Sequence, residues 1–195
     1  MVQSATSPRD ALRARTDAAH ARTDAAFSAI DLATVEGRGR FLAAQGFGFE
    51  AVRRAFAAHG ETAWEAAARA RRDAALADAD PMLLLGLPGA DLSGHDPLGV
   101  AYVAAGSLHG AGILRARLQR SGLRRLPVFF ARRRAGDAGD LRPVWSEVLA
   151  RLDAADPGRL PALVRAAEAT FAAFAAPLSR PGALRAPRTT STTAA

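Results

Sequence analysis

Apolar positions in this chain recur at intervals of three and four, the period of amphipathic helices. Leu12, Thr16, Ala19, His20, Phe27 and Ile30 keep that spacing and predict a first helix running to about residue 30 with this stripe turned inward. Ser7 stands as its N-cap, Pro8 at the first helical position and Asp10 in the first turn, the arrangement that satisfies the free N–H groups of a helix start. A second helix is predicted over residues 31–44, beginning near Thr34 and weakened by Gly37 and Gly39. Gly46-Phe47-Gly48 reads as punctuation before a third helix over residues 50–58, closed by His59 and Gly60. Residues 61–77 form a polar-faced helix holding Trp64, Arg69, Arg71 and Arg72. Asp80-Pro81 interrupts it, residues 82–87 make a short apolar segment, and residues 89–95 form a loop.

Residues 96–122 are read as one helix. Asp96 suits the N-cap and Pro97 the first turn. Arg115, Arg117 and Arg120 place positive charge where the helix dipole favours it, and Gly122 ends the element. Within it lie Gly99, Gly106, Gly110 and Gly112, each costing about 0.5–1 kcal/mol against alanine. Gly99, Gly106 and Gly110 fall within about 40° of one another at 100° per residue. Such a bare stripe fits either close helix–helix packing or a flat ligand against the backbone. Downstream, residues 126–134 join Leu-Pro-Val-Phe-Phe to three arginines, residues 135–140 form a loop, and residues 141–152 form a helix with Trp145. Asp156-Pro-Gly resets the chain for a last helix over residues 160–176. No strand pattern and no internal repeat stands out, so the fold class is all-α, one domain of about eight helices over residues 1–178. Pro, Arg, Thr and Ser dominate residues 179–195, which read as a disordered tail.

Composition changes this picture little. Cysteine is absent, which excludes disulfides, thiolate metal ligation and cysteine nucleophiles. The net charge of +7 rests on 26 basic residues, all arginine, and favours anionic partners. Nucleic acid is not expected, because no helix interleaves arginines with aromatics. The N-terminus lacks the apolar stretch of a signal peptide, and the uncharged run over residues 97–114 contains a histidine and four glycines. A buried helix in a cytoplasmic protein that does not enter the membrane is therefore expected. Zinc spacings, nucleophile elbows, P-loops and dinucleotide fingerprints are all missing. Asp73, Asp78 and Asp80 lie in a charged, solvated stretch.

Four histidines remain. His59 suits a helix end, and His95 lies in a loop. His20 falls on the inward stripe with Asp24 one turn later, a spacing that serves either a structural hydrogen bond or the orientation of a metal-bound imidazole. Arg13, two turns earlier, lies within about 20° of the same face and roughly 10 Å along the axis. Those are the reach and direction of a propionate on a haem whose iron sits at His20.

Leu12-Arg-Ala-Arg-Thr-Asp-Ala-Ala-His20, the arginine-rich stretch from Arg69 followed by Leu83-Leu-Leu-Gly86, and Tyr102-Val-Ala-Ala-Gly-Ser-Leu-His-Gly110 together resemble the biliverdin-producing heme oxygenases. The likeness is to the bacterial branch found with bacteriophytochromes. Trp145 and Ala166-Ala-Glu-Ala-Thr-Phe171 also fall where that family carries a tryptophan and an Ala…Thr-Phe helix, so the resemblance spans residues 10 to 178. It implies a helical bundle with haem b between the first helix and the glycine-rich distal helix. His20 would be the iron ligand, Asp24 its orienting partner and Arg13 a propionate partner, with Thr16, Tyr102, His109 and Phe171 also lining the cofactor. Gly106 and Gly110 would let the distal backbone close over the ring, with Ser107 near the distal water. The implied activity is oxidative cleavage of haem, both cofactor and substrate, to biliverdin, CO and iron. O2 and an external ferredoxin- or flavodoxin-type donor would serve it, with a bacteriophytochrome receiving the biliverdin. Two residues depart from the family pattern: Ala105 replaces a glutamate and His109 a leucine. A haem carrier without turnover and a haem-free helical interaction module are the alternative readings.

Overall fold

The computed structural model describes residues 7–79, 89–120, 123, 125–131, 134 and 136–179, with Leu108 and His109 by their backbone alone. All regular structure among them is helical. The predicted segment over residues 82–87, Gly122 and the tail beyond Ser179 lie outside the described residues.

Helix α1 (Pro8–Ser28) starts as its sequence dictates, with the Ser7 hydroxyl accepting from the Asp10 N–H at 3.1 Å. Its buried stripe is Leu12, Thr16, Ala19 and Thr23. The two threonines are tolerated there because each hydroxyl donates to the carbonyl one turn back, Thr16 to Leu12 at 2.9 Å and Thr23 to Ala19 at 3.0 Å.

Helix α2 (Val35–Ala58) runs unbroken through the region that the sequence divides into two helices. Thr34 caps it by accepting from the Gly37 N–H, and Gly60 (φ +72°) turns the chain at its end. Gly46 and Gly48 are not punctuation. A Cβ on Gly46 would collide with the Leu76 side chain, and one on Gly48 with the Phe174 ring. They are bare because neighbouring helices press against the α2 backbone. Helix α3 (Thr62–Leu76) folds back along α2.

The predicted single helix over residues 96–122 is interrupted. Helix α4 (Pro97–Gly106) and helix α5 (Leu108–Arg120) meet at Ser107, whose hydroxyl donates to Ala104 O at 2.7 Å. Serine back-bonding of this kind bends a helix. Among the described residues only the combined run Pro97–Arg120 is long and apolar enough to cross a membrane, and 44% of its apolar window is buried inside the protein. The stretch after α5 contributes one 3-10 turn, Val128–Phe130, with Phe129 and Phe130 buried. Helix α6 (Arg142–Asp153) and helix α7 (Leu160–Ala175) complete the fold.

Helix α7 is the hub: it packs on α1, α2 and α4. An aromatic cluster of Phe41, Phe49, Phe129, Phe130 and Phe174 fills the space between α2 and its neighbours, each such ring contributing roughly 2–3 kcal/mol by burial. Arg71, expected on a polar face, is instead buried at 5% exposure. Its guanidinium lies 3.9 Å from the centre of the Phe129 ring and donates to Phe129 O at 3.2 Å, so it holds the 3-10 turn against α3.

Candidate functional site

Helices α1 and α4 both rest on α6 and α7 and so flank a shared floor. Arg9, Arg13, His20 and Asp24 occupy one side of α1, within about 60° of one another and adjoining its buried stripe. All four are exposed. His20, expected to point inward, therefore lies at the stripe's edge, with its side chain 58% exposed. The reason is angular: Leu12, Thr16, Ala19 and Thr23 centre the buried face about 70° away.

His20 is nonetheless held. Its Nε2 lies 3.3 Å from Asp24 Oδ2, and its ring stacks on Phe171 of α7, with centroids 5.3 Å apart and planes inclined at 30°. One imidazole nitrogen is thus engaged by a carboxylate, which leaves the other to meet a further partner. Phe171 is positioned by its helix, whose neighbouring Thr170 is fully buried and donates to Ala166 O at 2.8 Å.

A second cluster forms around Tyr102 on α4. The phenol is half-buried, and burial pushes its ionisation above the ordinary value of 10.0, while the nearby charges of Arg13 and Arg9 pull it back. The charge of Arg13 thus acts on Tyr102 although the two are far apart in sequence. Arg9 joins them; it stands one helical turn before Arg13, so the i, i+4 spacing was the available sequence signal. Neither arginine forms an ion pair with another described residue. The ring of Trp145 on α6 lies 5.9 Å from that of Tyr102.

The glycine stripe divides. A Cβ on Gly99 would come within 2.6 Å of Leu163 O, so close helix packing explains that residue. One on Gly106 would rest on Trp145 at 3.5 Å, and ones on Gly110 and Gly112, both exposed, would meet no atom of the described residues within 4 Å. Ile113 on the same open stretch is 71% exposed. Ser107 is exposed at the helix break. Thr16 faces inward, its hydroxyl already bonded to Leu12 O. The His109 backbone belongs to the first turn of α5, and its side chain lies outside the described residues.

Among the described residues no group of three or more His, Asp or Glu side chains stands at metal-binding spacing. A metal held here would have to bring most of its own ligands, as haem iron does. The residues that could serve such a group are one restrained imidazole, two guanidinium groups without ion-pair partners among the described residues, a phenol, and a stretch bearing exposed glycine and isoleucine. Compared with protein-family models, with curated proteins and with solved structures, the chain matches none.

Proposed function

We propose that the protein binds haem between α1 and α4–α5 and cleaves it oxidatively to biliverdin, CO and ferrous iron. Electrons would come from a ferredoxin- or flavodoxin-type donor, in a cytoplasmic setting, with a bacteriophytochrome as acceptor of the biliverdin. The observation that carries this reading is the His20 imidazole held between Asp24 and Phe171, with Arg13 about 10 Å back along α1 on the same side of the helix. A basic, hydrogen-bonding end and an imidazole at that separation suit an apolar ring that bears carboxylates at one edge and a metal at its centre.

Haem, when bound, supplies the iron at which oxygen is reduced and the ring that is cleaved. The chain's own residues bind and orient it. His20 would be the protein's iron ligand, with Asp24 holding its other ring nitrogen and Phe171 restricting its rotation. Arg13 and Arg9 would neutralise carboxylates beside the Tyr102 hydroxyl. Gly110, exposed and with no atom of the described residues within 4 Å of where a side chain would project, would allow close approach of the distal backbone, and Ser107, at the break, would hold water.

Hemin titration with absorption spectroscopy, followed by reductant in air, tests the proposal. It predicts a Soret band that changes in His20→Ala and then gives way to biliverdin. A carrier without turnover would keep its haem bands after reduction. A haem-free interaction module would show no Soret change at all. His109→Leu is expected to leave hemin affinity intact; loss of binding would make His109 a ligand.

A further inference from the structure

Trp145 is the one aromatic side chain that touches both the Tyr102 ring and the last turn of α4 among the described contacts. Its six-membered ring lies 3.5 Å from where a Gly106 Cβ would project, and its ring centre is 5.9 Å from that of Tyr102, with planes inclined at 35°. Tyr102 and Gly106 are one helical turn apart on α4 and both are half-buried, so one indole spans both. The helix breaks at the next residue, Ser107. The geometry points to Trp145 as a positioning residue: from α6 its ring sets the placement of the Tyr102 ring and of the end of α4, and so the shape of the Tyr102 end of the proposed haem site. This deepens the proposed haem reading and, as far as it concerns ligand affinity, rests on it.

Two features make the inference more than a packing statement. Tyr102 is the sole tyrosine of the chain, so phenolate absorbance reports on this position alone. Its surroundings also contain two opposing influences, burial raising the ionisation and the charges of Arg9 and Arg13 lowering it, so a change in ring position is readable as a shift. Removing the indole uncovers the phenol without removing either arginine, and the ionisation must then fall.

The experiment is a spectrophotometric titration of Tyr102 in the full chain, with Trp145→Phe and Trp145→Ala as variants and helical circular dichroism to confirm folding at each pH. Trp64→Phe serves as control, because Trp64 is buried beside Phe56 and destabilises the core without touching Tyr102. The expected result is a Tyr102 ionisation above 10.0 in the parent chain that falls in Trp145→Ala, is largely restored in Trp145→Phe and is unmoved in Trp64→Phe. Hemin affinity should follow the same order, with a loss of about tenfold in Trp145→Ala. An unchanged Tyr102 titration in Trp145→Ala would overturn the inference, as would a shift with no accompanying change in hemin affinity. A parent chain that binds no hemin would instead remove the haem reading, and the tyrosine titration would still decide whether Trp145 holds the phenol.

Discussion

The Phe171 ring lies against the His20 imidazole with centroids 5.3 Å apart, so the residue that would meet a metal is restrained by α7 as well as by its own helix. Asp24 restrains it from the other direction at 3.3 Å. Two contacts on one exposed side chain reduce the rotamer freedom that binding would otherwise have to remove. Phe171→Ala should therefore weaken hemin binding by several-fold, roughly 1 kcal/mol, while leaving the helical circular dichroism intact. Unchanged affinity in a folded variant would show that the stack has no part in binding.

Gly48 provides a sharp test of why α2 contains glycine. Because a Cβ there would enter the Phe174 ring, Gly48→Ala should destabilise the protein by about 1–3 kcal/mol in urea unfolding. Gly46→Ala should cost less, since the obstructing atom is the methyl end of Leu76. A glycine serving no packing role would gain about 0.5–1 kcal/mol on the same change, so a stabilised Gly48→Ala would contradict the packing account.

The distal glycines should separate in the same assay. Gly99→Ala places a methyl 2.7 Å from Ala166 Cβ and 2.6 Å from Leu163 O, and a loss of about 1–3 kcal/mol is expected. Gly110→Ala meets no atom of the described residues within 4 Å and should stabilise the ligand-free protein by up to about 1 kcal/mol. If Gly110 gives a ring access to the backbone, the same variant should bind hemin more weakly. A Gly110→Ala variant that gains stability and keeps its affinity would remove Gly110 from the site.

Glu50, ringed by three arginines, should contribute to acid sensitivity. Hydrogen bonds from Arg53 first, then from Arg72 and Arg54, lower its ionisation from 4.5 to about 2 against the opposing effect of burial. A depressed carboxylate stabilises the fold fully above its unfolded value and loses that contribution as pH falls through its folded value. Glu50→Gln should thus cost roughly 2 kcal/mol at pH 7, after allowance for partial solvent screening. The gap to the parent chain should close between pH 4.5 and about 2. A gap that persists at pH 2 would mean that packing, not charge, accounts for the loss.

The parts of this fold legible in the sequence are those fixed by local chemistry. The caps at Ser7, Thr34 and Asp96 and the turn at Gly60 follow from hydrogen-bond needs met within a few residues, and the span of α7 from its apolar period and the proline in its first turn. Glycine was the ambiguous letter. Gly46 and Gly48 are bare because of Leu76 and Phe174, and no local pattern distinguishes such an approach from a break. Arg71 was misread because a charged residue ordinarily faces water, whereas this one is enclosed beside Phe129. In the candidate site, the His20–Asp24 pair and the direction of Arg13 were visible as helical spacings. The influence of the Arg13 charge on Tyr102 was not, because it depends on how α1 and α4 seat on α6 and α7.

The most direct measurement is a hemin titration of the parent chain and of His20→Ala, followed by absorption spectroscopy and then by reduction in air. Saturable binding with a Soret band is expected in the parent chain, with an altered or lost band in His20→Ala and replacement of the haem spectrum by that of biliverdin on reduction. Identical spectra for the two proteins would contradict the assignment of His20, and a parent chain with no Soret change would contradict the haem reading itself.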